Sequence, residues 1–173
     1  MIIIITGATH TGKTYLSQKI LEGYNFPYLS IDLLKMGLIR SKYINLTPEN
    51  DIELQNYLWP IVSEIIKTVI ENNQNLIIEG CYIPDDWQNS FTERYLNQIH
   101  YYCLIMSEKY IKQNYSKIIK YECEIEKRLN DSSCTKDFLI KENARYFEMC
   151  QKYNYNYILI NDNYNVDINS IKI

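Results

Sequence analysis

Ile2-Ile3-Ile4-Ile5-Thr6-Gly7-Ala8-Thr9-His10-Thr11-Gly12-Lys13-Thr14-Tyr15 is the stretch whose reading decides the fold. Four consecutive β-branched residues predict a strand buried on both faces. Gly7 to Thr14 then match the phosphate-binding pattern G-x-x-x-x-G-K-[ST] at every fixed position. Tyr15 to Glu22 continue as a helix. Strand, loop and helix together are the context in which this pattern binds phosphate. Gly7 and Gly12 permit backbone angles and close approach that a Cβ would block. The loop amides can then turn inward onto phosphate oxygens, assisted by the positive end of the following helix. Lys13 is expected to reach the β- and γ-phosphates, and the Thr14 hydroxyl to ligate Mg²⁺. Gly7, Ala8, Thr9, His10, Thr11, Gly12, Lys13, Thr14 and Tyr15 are thus the candidate contacts to ATP. His10 fills a free position and is read as an exposed loop residue.

Outward from this stretch, strand and helix patterns alternate, which predicts an α/β fold with a five-stranded parallel sheet covered by helices on both faces. The remaining strands are expected at Phe26 to Ile31, Leu76 to Ile78, Ile99 to Met106 and Tyr157 to Ile160. Helices are expected over Leu33 to Arg40, from Thr47-Pro48-Glu49-Asn50 to about Asn72, over Pro84 to Leu96, and over Lys136 to Tyr153. In the second of these, Thr47 is the expected cap with Pro48 at the first helical position, and Pro60 should kink or split the helix. Ser107 to Leu129 is dense in both charges and is broken by Asp131-Ser132-Ser133. No linker or internal repeat is present, so residues 1–173 read as a single domain whose segment 107–131 is a helical lid.

With 173 residues, the chain can bury one ordinary core. A net charge of −3 argues against a broad nucleic-acid-binding face. No apolar stretch approaches the ~20 residues a bilayer-crossing helix needs, and the first residues lack the pattern of a secretory leader. A cytoplasmic protein with no membrane partner is therefore expected. Five scattered cysteines, Cys81, Cys103, Cys123, Cys134 and Cys150, contain no C-x-x-C pair, so neither a disulfide framework nor a zinc site is predicted. Cys81 and Cys103 are read as small buried hydrophobes.

In open parallel sheets, ligands bind beyond the carboxyl ends of the strands. Three features converge there: the phosphate loop, Asp32 after the second strand, and Glu79-Gly80 after the third. Phosphoryl transfer calls for an acidic group near Mg²⁺ and a group that positions or deprotonates the attacking hydroxyl. Asp32 is assigned to the acceptor hydroxyl and Glu79 to a Mg²⁺-bound water, with the reverse assignment left open. The simpler alternatives are a helix cap for Asp32 and a solvated acid for Glu79. Arginine suits the charge that develops during transfer. Of four arginines, Arg40 falls on the acceptor side, Arg128 ends the lid segment, Arg145 is on the next helix, and Arg94 is read as surface. The lid lysines have a plain alternative as a solvated helix with i,i+4 pairs. Tyr57, Trp59, Tyr82 and Trp87 either line an acceptor pocket or belong to the core, and Tyr82 adjoins Glu79-Gly80-Cys81.

These stretches resemble the small P-loop kinases of the adenylate-kinase-like superfamily. Leu76-Ile77-Ile78-Glu79-Gly80 is similar to the "IIEG" stretch of 2-phosphoglycerate kinases. The strand-plus-acid Leu29-Ser30-Ile31-Asp32 followed by Arg40 looks like zeta-toxin kinases, chloramphenicol phosphotransferases and gluconate or shikimate kinases. The resemblance implies that Asp32 engages the acceptor hydroxyl, and that Asn161 and Asp162, after the last strand, pack on adenine. Where adenylate kinases carry an Asp-Gly-Phe-Pro-Arg run, this chain has Glu79-Gly80-Cys81-Tyr82-Ile83-Pro84, with no arginine to grip a nucleoside monophosphate.

The expectation is an ATP- and Mg²⁺-dependent kinase that phosphorylates a hydroxyl of a small molecule. A nucleoside monophosphate kinase is the alternative within that chemistry. A toxin-like kinase acting on a nucleotide-sugar or antibiotic would share the chemistry and differ in role. A nucleotide-binding regulatory module that transfers nothing is the alternative of another class.

Overall fold

The computed structural model describes residues 1–120, 134–164, 166, 168 and 171. The isoleucine run forms β1 (Ile2–Gly7), whose first four residues are fully buried. Alternation sends its side chains to opposite faces. Ile2 and Ile4 join a core with Leu58, Val62 and Ile66, whereas Ile3 and Ile5 pack with Leu16 and Ile20. Each such side chain contributes about 2 kcal/mol by burial, so the strand is pinned from both sides.

Leu16 and Ile20 belong to α1 (Lys13–Tyr24), and Leu58, Val62 and Ile66 to α3 (Asp51–Glu71). Between them lie β2 (Tyr28–Ser30) and α2 (Ile31–Arg40). Next come β3 (Leu76–Glu79), the short α4 (Glu93–Leu96), β4 (Ile99–Met106), α5 (Glu108–Lys120), α6 (Lys136–Tyr153) and β5 (Tyr157–Ile160). The five strands pair in parallel in the order β2-β3-β1-β4-β5. A parallel neighbour requires a crossover, and helices supply one on each face.

Several expectations are corrected. Proline does not split α3, which runs unbroken through Pro60. Pro60 lies on the exposed side, where water can satisfy the carbonyl that its missing N–H leaves free. That helix begins later than Thr47. Asn50 holds the position before its first turn without a side-chain bond to the helix, and its Oδ1 instead accepts from the Thr47 amide (2.8 Å) and hydroxyl (3.0 Å) in a preceding turn. No continuous helix spans Pro84 to Leu96. A 3-10 turn (Trp87–Ser90) and α4 are separated by Phe91, which is extended at φ −131°, ψ 145°. Tertiary packing overrides the helical pattern: Trp87 stacks on Tyr101 (centroids 5.3 Å apart), Phe91 meets both tryptophans edge-on, and the Trp59 indole donates to Ser90 Oγ. Trp59 and Trp87 are therefore core, whereas Tyr57 is exposed. The second strand is shorter than expected because α2 starts at Ile31. Among the described residues, no helix is long and apolar enough to cross a membrane.

Candidate phosphate-transfer site

The carboxyl ends of β1, β2 and β3 bring the predicted features together. Gly7 has φ +136°, and a Cβ there would stand 2.2 Å from the Leu104 carbonyl oxygen of β4. Gly12 has φ +83°, and a Cβ there would stand 1.9 Å from Tyr164 Oη. At Gly7 the clash is with backbone and excludes a side chain, whereas at Gly12 a side chain would have to displace the Tyr164 ring, so the fold also favours the glycines of the pattern. Thr11 is fully buried and its hydroxyl donates to the Ala8 carbonyl at 2.8 Å, cinching the loop across its width. Thr6 Oγ1 donates to the Gly80 carbonyl (2.9 Å), tying β1 to the turn after β3.

Lys13 is buried at the first residue of α1. Its ammonium curls back over the loop, donating to the carbonyls of Gly7 (3.1 Å) and Ala8 (2.8 Å). Burial pushes its pKa down, but Cys81 and the carboxylates of Glu79 and Glu142 more than offset this, leaving a net upward shift. Burial raises the Cys81 thiol, which stays neutral near pH 7, so the two carboxylates hold the lysine charge there. Thr14 follows in the first turn of α1. Glu79, 1% exposed, ends β3 in register with Ser30 of β2.

Asp32 lies in the first turn of α2, with Ser30 in the cap position. The alternative of Asp32 as the helix cap is thereby corrected. Lys35, one turn on, donates to Asp32 Oδ1 (2.7 Å) and to Tyr82 Oη (3.0 Å), and Tyr82 Oη donates to Asp51 Oδ1 (2.9 Å). This chain of bonds joins α2, the turn after β3 and the start of α3. Burial lowers the Lys35 pKa, but the charge and hydrogen bond of Asp32 outweigh it and the net shift is upward. Burial pushes the Tyr82 phenol up to about 12. Arg40, at the exposed far end of α2, stands about 12 Å along the helix axis from Asp32.

On α6, Arg145 pairs with Asp85 (3.3 Å) and covers the Tyr146 ring (4.3 Å). The α6 side chain that touches the phosphate loop is Glu142, whose Oε2 accepts from the Thr9 amide at 2.9 Å. Two expectations about the loop's surroundings are corrected. His10 is half-buried rather than exposed, with Nδ1 at 3.0 Å from Thr9 Oγ1 and 3.5 Å from Cys134 Sγ. Cys81 is not a core hydrophobe, since its Sγ lies 3.7 Å from the Gly7 carbonyl beside the loop, whereas Cys103 is fully buried as expected. Tyr15 is 41% exposed, edge-on to Tyr164 at 6.1 Å. Asn161 and Asp162 follow β5, where Asp162 accepts from Lys109 (2.6 Å) and from Asn161 Nδ2 (3.2 Å). Arg128 and the part of the expected lid beyond Lys120 lie outside the described residues, and α5 represents the remainder.

Sequence reasoning missed Lys35, Asp51, Glu142 and Tyr164. Lys35 had a local signal, three residues from Asp32 on a helix. The other three reach the site only through the fold, and Tyr164 lies 153 residues from the Thr11 carbonyl it donates to, at 3.1 Å.

Mg²⁺ keeps several waters and takes one or two protein oxygens together with phosphate oxygens. The donor set fits it in kind, since Thr14 offers a hydroxyl in the first turn of α1 and Glu79 a carboxylate at the end of β3. When bound, the ion would neutralise phosphate charge.

A five-stranded parallel sheet with this loop after its first strand is the fold of the small P-loop kinases. Solved structures similar to the chain include a shikimate kinase from Bacteroides thetaiotaomicron (14% identity, 93% of this chain and 85% of that one, TM-score 0.58). Deoxyadenosine kinase from M. mycoides is another (16% identity, 98% and 94%, TM-score 0.56). A third, from Chloroflexus aurantiacus J-10-fl and designated a kinase, gives 19% identity, 98% and 92%, and a TM-score of 0.58. No protein-family model matches the sequence, and no curated protein matches it by sequence.

Proposed function

We propose that this protein is an ATP- and Mg²⁺-dependent phosphotransferase acting on a hydroxyl of an uncharged small molecule. The observation that carries the acceptor assignment is the charge state of the acceptor side. Lys35 is already engaged by Asp32 and Tyr82, Asp51 adds a further carboxylate, and Arg40 stands off at the exposed far end of α2. A phosphorylated acceptor would meet more negative than positive charge there, at a cost that grows as water is excluded. A hydroxyl-rich neutral molecule meets hydrogen-bonding groups instead. This favours a hydroxyl acceptor over a nucleoside monophosphate.

In this reading the amides of residues 8–14 and Lys13 hold the triphosphate, and Thr14, with Glu79 through a bound water, would hold Mg²⁺. Lys35 occupies Asp32 Oδ1 and fixes the carboxylate, so Oδ2 is the oxygen that meets the acceptor hydroxyl. The acceptor oxygen bonds to the γ-phosphorus as the bond to the β-phosphate oxygen breaks and ADP leaves. The hydroxyl proton passes to Asp32. Asn161 and Asp162 border the adenine.

The test is ATP consumption across sugars, sugar acids, nucleosides, nucleoside monophosphates and aminoglycoside or phenicol antibiotics, with Lys13→Ala as the control. Turnover with neutral hydroxyl compounds, abolished in the control, is the expected result. No turnover with any acceptor would sink the kinase reading. Turnover confined to monophosphates would overturn the acceptor assignment alone.

A further inference from the structure

Glu142 is the one negatively charged side chain, among the described residues, seen bonded to a backbone amide of the phosphate loop. The loop's amides are the groups that phosphate oxygens should occupy. Lys13 identifies which phosphate this amide serves. In the loop pattern the lysine attends the β- and γ-phosphates. Here its ammonium rests on the Gly7 and Ala8 carbonyls, the second of them in the same peptide unit as the Thr9 amide, and it feels the Glu142 charge. Glu142 also bears electrostatically on Lys13, Cys81, Arg145 and Tyr146, so its carboxylate lies among these groups.

We infer that Glu142 occupies the seat of the nucleotide's terminal phosphate and must yield it to ATP, so that it weakens binding of the triphosphate selectively. The inference rests on the reading of residues 7–14 as the nucleotide cradle. A carboxylate and a phosphate oxygen cannot share the Thr9 N–H. Bringing the terminal phosphate into the loop sets like charges against each other unless Glu142 moves away. A diphosphate ends one phosphate short of this contest.

The test is calorimetric titration of ATP and of ADP, without an acceptor, into the wild type and Glu142→Gln. Glutamine keeps an oxygen that can accept from the Thr9 amide and removes only the charge, and a urea melt checks that the fold persists. ATP should bind on the order of tenfold more tightly to the variant, with ADP changed less than about twofold. Unchanged or weaker ATP binding would overturn the assignment. So would an equal gain for ADP, which would mean a diffuse effect on the whole loop. If the wild type bound neither nucleotide, the cradle reading itself would fall, and this inference with it.

Discussion

Replacing Gly12 with alanine probes both the strain in the loop and the residue that closes over it. At φ 83°, ψ 28°, an L-residue pays about 1–2 kcal/mol for the left-handed conformation. The new Cβ would also stand 1.9 Å from Tyr164 Oη and 2.8 Å from Cζ, so the Tyr164 ring must swing away. That motion breaks its hydrogen bond to the Thr11 carbonyl, 3.1 Å long, for about another 1 kcal/mol. Gly12→Ala should therefore destabilise the protein by about 2–3 kcal/mol. For a chain of this length the melting temperature should fall roughly 4–12 °C. In a Tyr164→Ala background the ring is gone, and the same substitution should cost only its backbone strain, about 1–2 kcal/mol. Urea unfolding of the wild type, both single variants and the double variant gives the coupling directly. A cost for Gly12→Ala that is equal in the two backgrounds would refute the contact between loop and tyrosine. A cost below about 0.5 kcal/mol in the wild type would refute the strain as well, because a left-handed alanine cannot be that cheap.

Two further substitutions separate chemistry from binding on the acceptor side. Asp32→Asn keeps the shape of the side chain and removes its basicity, so kcat should fall about 10²–10⁴-fold while ATP affinity, measured by titration, stays within twofold; a loss confined to ATP affinity would show that Asp32 serves the nucleotide. Lys35→Met should cost about 1–2 kcal/mol near neutral pH, because the ion pair to Asp32 is largely shielded from solvent. The folded-state pKa of Lys35 lies above its ordinary 10.5, so its stabilising effect is complete below that value and fades as pH rises through the folded pKa. The stability gap between wild type and Lys35→Met should hold from pH 7 to 10 and narrow above it, and a gap that narrowed toward acid first would contradict the pairing.

The fold was legible where local pattern and tertiary demand agree. Ile2 to Ile5 have no polar side to offer, so only a strand covered twice suits them, and the glycine-lysine pattern after them fixes what lies at its end. Asp32 and Glu79 were legible for a related reason: an acid that closes an apolar strand has few places to be except the carboxyl edge of a sheet. Pattern failed where packing across the chain outvotes local preference. The run from Pro84 to Leu96 looks helical, yet a helix would pull Trp87 and Phe91 out of the aromatic cluster that they form with Trp59, Tyr101 and Tyr155. At Thr47, two candidate caps compete, and the Asn50 side chain takes the Thr47 amide for itself. Glu142 was invisible in sequence because nothing about a glutamate on an amphipathic helix indicates which surface the helix will lie against.

The phosphate loop is held open by the protein's own side chains. Its carbonyls at Gly7 and Ala8 take the Lys13 ammonium, its Thr9 amide takes Glu142, and its Thr11 carbonyl takes Tyr164. A loop whose polar groups are met in this way need not be ordered when the nucleotide arrives, which lowers the entropic cost of binding. The three contacts nevertheless act differently on a triphosphate. Tyr164 bonds to a carbonyl, which no phosphate seeks, so it can stay in place as the ligand enters, whereas the Lys13 ammonium must turn from the Gly7 and Ala8 carbonyls to the phosphates that its charge favours. Glu142 bonds to an amide, the one kind of loop group that a phosphate does seek. Among the described contacts, rigidity and affinity are therefore opposed at Thr9, and it is there that a single change of charge should alter nucleotide preference without disturbing the loop.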